Sequence, residues 1–92
     1  KDFYQLICTY EMSTNVVGIY DSYEEAYEAM LEDFASVVEY SVDALNEYLE
    51  KVSGDADITD WCAWTSNRGD NCNWAILCLR YTGKNLINIM PL

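Results

Sequence analysis

The stretch "DSYEEAYEAMLEDFASVVEYSVDALNEYLEK", residues 21–51, decides how this chain folds. Tyr27, Met30, Leu31, Phe34, Val38, Val42, Leu45, Leu49 and, just beyond it, Val52 recur at intervals of three and four. At the 3.6-residue period they share one arc of a helix. Glu24, Glu28, Glu32, Glu39, Asp43, Glu47 and Glu50 share the opposite arc. Ser22 and Glu25 match the capping box S-x-x-E, whose side chains satisfy the first unpaired amides of a helix. Ser53-Gly54 supplies the stop, because glycine accepts the left-handed conformation that closes a helix end.

Uninterrupted, that helix would run about 45 Å at its rise per residue. Strands of ordinary length span only roughly 17–20 Å. A sheet of such strands cannot cover the whole apolar stripe. The expectation is therefore a helix that breaks and folds back near Tyr40–Asp43, or one whose second half packs on another subunit.

Outside this stretch the period changes to two. In "DFYQLICTY" (2–10), Tyr4, Leu6, Cys8 and Tyr10 form one apolar face, as in a half-buried strand. "EMSTN" is a polar turn, and "VVGIYD" (16–21) returns as a second strand, with Gly18 a bulge or close-packing point. "GDADITD" (54–60) reads as an acidic loop. "ITDWCAWTS" and "CNWAILCLRY" read as strands joined by the glycine-containing turn "NRGDN". "LINIM" is a last short strand before Pro91. The order ββαβββ, with room for a second helix, predicts an α+β fold. An antiparallel sheet of four or five strands is packed on one face by a long or broken acidic helix, in a single domain.

The 92 residues carry 16 acidic and 5 basic side chains, for a net charge of −11. Thirteen of the acids lie between Asp21 and Asp60 with only Lys51 opposing them; the rest of the chain is close to neutral. Nucleic acids and anionic lipids repel such a chain, since phosphate binding rests on Lys and Arg displacing counterions. No direct nucleic-acid or membrane partner is expected, and no apolar run reaches the roughly 18–20 residues of a membrane span. On a solvated helix, acids and bases usually alternate, because like charges four apart destabilise it. Glu24–Glu28, Glu28–Glu32, Glu39–Asp43 and Asp43–Glu47 are all like pairs. The plain reading is a face that aids solubility. The sharper one is a one-signed ridge that engages a basic protein surface, imitating a row of phosphates.

Other features carry less. Asp55, Asp57 and Asp60 begin an acidic calcium-loop spacing, but its sixth and twelfth positions are Asp60 and Ser66, not Gly and Glu. "RGD" (68–70) consists of ordinary turn residues. Trp61, Trp64 and Trp74 fit cross-strand aromatic packing. Trp61 and Trp64 have opposite parity, so one strand sends a tryptophan to each face, and Trp61, Trp64 and Trp74 form a candidate sheet-face interface, including for a homodimer. Cys8, Cys62 and Cys78 sit in apolar strand-like runs and read as reduced, intracellular thiols, which leaves Cys72 as the expected exposed one. With no histidine, no CxxC spacing and no nucleophile beside a base, neither a metal, a cofactor nor catalysis is expected. The chain opens on Lys1 rather than methionine, which leaves a processed leader and a trimmed start equally open.

"VVGIYDSYEEAYEAMLEDF" (16–34) and "ITDWCAWTSNRGDNCNWAILCL" (58–79) resemble small acidic proteins of unassigned function from gut Firmicutes and their phages. The resemblance covers under half of the chain and implies a cytoplasmic bacterial or phage setting. It transfers no catalytic residues. The functional expectation is a non-enzymatic interaction protein, in the manner of a nucleic-acid mimic that inhibits its target. The alternatives are a small dimerising accessory module whose acidity serves solubility, and a secreted adhesion or calcium-dependent module.

Overall fold

The computed structural model describes residues 1–66 and 71–89. Strands β1 (Asp2–Tyr10) and β2 (Ser13–Tyr20) form a hairpin and lead into helix α1 (Tyr23–Val38). A single 3-10 turn (Val42–Ala44) and helix α2 (Leu45–Val52) follow, then β3 (Ala56–Ile58), β4 (Cys62–Thr65), β5 (Cys72–Tyr81) and β6 (Leu86–Asn88). All strand pairs are antiparallel, in the order β2-β1-β5-β4-β3. β6 shares an edge of β5 with β4: residues 72–75 of β5 pair with β4 and residues 79–81 with β6. The fold is α+β, with helices on one face of an antiparallel sheet.

The helix starts and breaks for local reasons. Glu25 N–H donates to Ser22 Oγ at 3.2 Å, so the N-cap half of the capping box forms, and the Ser22 hydroxyl, rather than its backbone N–H, donates to the Glu25 carboxylate at 3.2 Å. α1 ends without Gly or Pro. Glu39 takes the left-handed conformation (φ 62°, ψ 38°), and both Glu39 N–H and Tyr40 N–H close on the Ala35 carbonyl. That closure redirects the chain at residues 39–41, at the edge of the expected break, and α2 folds back within the same molecule. Sixteen residues give α1 a length of about 24 Å, which fits the eight to ten residues of β1, β2 and β5. Past α2, Ser53 and Gly54 both have positive φ and form the stop.

The core lies between the helices and the inward face of the sheet. Leu6, Trp74 and Ile76 from the sheet meet Met30 and Phe34 from α1 and Tyr48 from α2. Trp74, 1% exposed, packs its ring 5.2 Å from Phe34, and its Nε1–H donates to Asp33 Oδ2 at 2.7 Å. Tyr48 sits edge-on to Phe34 and Tyr40, with its hydroxyl 3.1 Å from the buried Thr65 Oγ1. This pins α2 to α1 and β4 at once. At the hairpin, Leu6 faces Gly18 and Ile7 faces Val16, so Val17 is the extra residue of a bulge. Gly18 also lets the Tyr20 ring fold over it, since an added Cβ would lie 2.4 Å from the Tyr20 hydroxyl.

Three expectations are corrected. The sheet has six strands, because residues 56–58, read as loop, pair with β4. "ITDWCAWTS" is not one strand. It turns at Asp60-Trp61, where Thr59 N–H donates to the Cys62 carbonyl at 2.7 Å. Neither turn residue has positive φ, so no glycine marks the reversal. Lastly, "EMSTN" shrinks to a Glu11-Met12 turn, and Ser13–Asn15 extend β2. The expected "NRGDN" turn falls largely outside the described residues.

Replacing Asp33 with Ala leaves the Trp74 N–H buried without an acceptor and is expected to cost about 1–3 kcal/mol in urea unfolding, with most recovered by Asp33→Asn. Glu39→Gly removes the left-handed penalty of a side chain bearing Cβ and should stabilise the protein by about 1 kcal/mol in the same assay.

Candidate functional site: the acidic helical layer

The inward side of each helix is fixed by the core, and the geometry of the outward side follows. With Met30 and Phe34 against the sheet, Glu24, Glu28 and Glu32 stand exposed on the outer face of α1. Successive members are separated by about 6 Å of helical rise. Asp43 is exposed on the 3-10 turn, and Glu47 and Glu50 are exposed on α2. Glu39 is exposed at the reversal itself. All seven expected residues are thus on the solvent side of the helices. The reversal spreads them over a two-segment layer rather than along one ridge.

Two ion pairs lie outside this layer: Lys1 with Asp21 at 3.0 Å, and Arg80 with Asp2 at 2.9 Å. The hydrogen bond from Arg80 holds the Asp2 carboxyl below its ordinary pKa. Asp33 is the α1 acid diverted inward, to the indole of Trp74. In the sequence it falls off the outer arc, with no partner assigned to it. Its place three residues from Met30, on the apolar side of the helix, was the signal.

Where α2 folds back, the helices leave a cleft of about 240 Å³ lined by Tyr27, Leu31, Val42, Leu45, Asn46, Leu49 and Ile58. A second depression of about 300 Å³ adjoins it, sharing Leu31 and Val42 and bounded by Glu28 and Glu32. The larger cleft residues were expected to be core. Leu45 is core as expected, whereas half-buried Leu31 and exposed Val42 belong to the part of the apolar stripe that the sheet does not reach. The first cleft falls below the roughly 300–1,000 Å³ of small-molecule sites. Its size suits one or two apolar side chains, and the carboxylates of Glu28 and Glu32 bound the adjoining depression.

The three tryptophans separate. Trp64 lies on the sheet face away from the helices, opposite Asn73 of β5. Trp61 lies on the helix side, with its ring 4.6 Å from Tyr23 and stacked on Tyr4 at 6.5 Å. The Tyr23 hydroxyl donates to the Asp60 carbonyl and holds the turn. The opposite-face reading of Trp61 and Trp64 matches this placement. Trp74 is buried under α1, so it offers no surface to a partner, contrary to its inclusion in a sheet-face interface. Burial, with Asp60 nearby, raises the Tyr23 phenol above its ordinary pKa.

All four cysteines are free thiols. The expected exposed thiol, Cys72, is buried on the inward face of β5, whereas Cys62 is exposed on the outward face of β4. The turn at 60–61 sets the parity of β4, and reading one continuous strand hid it. Burial first, then the charges of Asp33 and Cys72, push the Cys8 thiol up to about 11, so it stays protonated at neutral pH. Asp57 accepts from Ile58 N–H at 2.9 Å and serves β3. Among the described residues, no three His, Cys, Asp or Glu side chains gather to hold a metal. Nor is any of their helices long and apolar enough to cross a membrane. The RGD at 68–70 lies outside the described residues. No family model, curated protein or solved structure matches the chain.

Glu28 stands four residues from both Glu24 and Glu32 on the exposed face of α1. Glu28→Lys turns two like pairs into opposite ones and should stabilise the fold by about 0.5–1 kcal/mol at low salt. The gain, read as a shift in urea midpoint, should fade as salt screens the pairs.

Proposed function

We propose that this protein is a non-enzymatic interaction module whose acidic helical layer engages a basic protein surface, with the α1–α2 cleft receiving an apolar side chain of that partner. The observation that carries this reading is the join between the cleft and the adjoining depression. Leu31 and Val42 line an apolar hollow, and Glu28 and Glu32 bound it. A partner segment of matching chemistry has Lys or Arg flanking a Leu- or Ile-sized anchor, as on a basic amphipathic helix. The carboxylates steer it in and the hollow gives it a register. A protein surface built to receive phosphates has that basic character, so inhibition by nucleic-acid mimicry is one form of this function. The fold tolerates the like-charge pairs along α1 despite their small penalties, which supports a use for one-signed charge. The alternative, in which acidity serves only solubility, predicts no selective binding of cationic helices.

A fluorescein-labelled helical peptide of Lys, with Leu at i, i+3, i+4 and i+7, tests both parts by anisotropy. Affinity is expected to fall about tenfold or more between 0.01 and 0.15 M salt, as the screening length shrinks from about 30 to 8 Å. Glu28→Lys combined with Glu32→Lys should abolish binding while circular dichroism stays unchanged. Val42→Asp should weaken the Leu-bearing peptide more than an all-Lys control. Equal binding by the charge-reversed protein would remove the proposal.

A further inference from the structure

Among the described residues, no element covers the face of the sheet turned away from the helices. The shortest dimension of the molecule, 21 Å, is that of one sheet plus one helical layer. Yet β5 has the composition of a strand covered on both sides. Its "WAILCL" run is apolar at every position, with Trp74, Ile76 and Cys78 inward and Ala75, Leu77 and Leu79 outward. Half-exposed antiparallel strands alternate apolar with polar, whereas continuous apolar runs mark strands buried on both faces. The neighbouring outward positions agree. Leu79 faces Phe3, Ala75 faces Ile7, and Ile19 of β2, 55% exposed, follows on from Gln5.

Charge identifies what covers this face. In a chain of net charge −11, the outward positions of β1, β2, β4, β5 and β6 hold no acid or base, and the charges on this face sit at its margins: Asp57 of edge strand β3, opposite Trp64, and Lys1, whose Nζ lies 5.4 Å from the Phe3 ring centroid. We infer that the face is the two-fold interface of a homodimer, in which two copies stack sheet on sheet with their helical layers outermost. A second copy repels this one wherever the helical acids approach each other. It does not do so here, because the two acidic layers end up beyond two sheets stacked about 10 Å apart, more than a screening length of about 10 Å at 0.1 M salt.

The area reaches the lower end of what specific pairing takes, about 1,200 Å² over both copies. Four strand positions at about 4.8 Å, over nine residues at about 3.3 Å, give roughly 600 Å² of flat face before side-chain relief is added. A standard specific interface takes roughly 800 Å² from each partner. Twisted sheets of the same hand stack with strands about 30° apart, and one patch meeting its own copy closes the pair. This surface is separate from the acidic layer, so the dimer would present two such layers on opposite sides.

Sedimentation and light scattering across concentration provide the test. Wild type should move from 10.6 kDa towards twice that mass, with little dependence on salt. Leu77→Lys places a charge at the centre of the face in both copies, and dimerisation should weaken by about 100-fold or more. Ile19→Lys changes a side chain already exposed in the monomer, so it should weaken association without unfolding the protein. Buried-tryptophan fluorescence reports the fold in both. Glu28→Lys with Glu32→Lys should leave the mass unchanged, which separates this inference from the partner reading. A single 10.6 kDa species at protein concentrations up to about 1 mM, the weak limit of specific association, would overturn the dimer. So would a dimer that survives Leu77→Lys intact, since association would then run through an edge such as β2 rather than the face.

Discussion

Trp74 crosses from the middle strand of the sheet into the helical layer, with its ring against Phe34 and its N–H on Asp33. A buried indole needs both apolar contact and an acceptor, and two adjacent residues of α1 supply them. This fixes the rotation of α1 about its axis and its height over β5. Once Phe34 points inward, helical geometry leaves Glu24, Glu28 and Glu32 nowhere but outside. The position of the negative charge is thus a consequence of how one tryptophan is satisfied.

The same contact limits what the helices can cover. α1 spends its apolar side on β1 and β5, and Tyr48 draws α2 back against α1 and Thr65. The folded-back segment is too short to close over Leu31 and Val42, so a cleft remains where the two helices part. Nothing is left over for the other side of the sheet. The molecule therefore has two unlike surfaces: a charged helical layer with an apolar seam, and a largely apolar sheet face whose acid, Asp57, sits on the edge strand β3. Long-range attraction to cations belongs to the first, and contact with something neutral to the second.

Much of this was legible from residues alone. The stripe of Met30, Phe34, Val38 and Leu45, the Ser22–Glu25 box and the Ser53-Gly54 stop placed the helical region. The mismatch between its length and that of ordinary strands placed the break near Tyr40. Misreadings came where a local signal was missing. Glu39 closes α1 in a conformation that usually belongs to glycine, and the Asp60-Trp61 turn has no glycine either. Trp61, Tyr23 and Tyr4 stabilise that turn by packing, across more than fifty residues of chain. Missing the turn hid β3 and the outward facing of Cys62, while Cys72 turned out buried because it shares the inward parity of Trp74 on β5. Tyr48 lies three residues past Leu45, a core spacing, but was not counted in the apolar stripe.

The sequence by itself determined the element types, the sign and location of the charge, and the α+β class, because periodicity and capping act over three or four residues. Only the tertiary structure decided which of two faces each tryptophan and cysteine takes, which acid turns inward, and which apolar residues stay uncovered. Those outcomes depend on strand parity set by distant packing, and on how much sheet a helix of fixed length can reach.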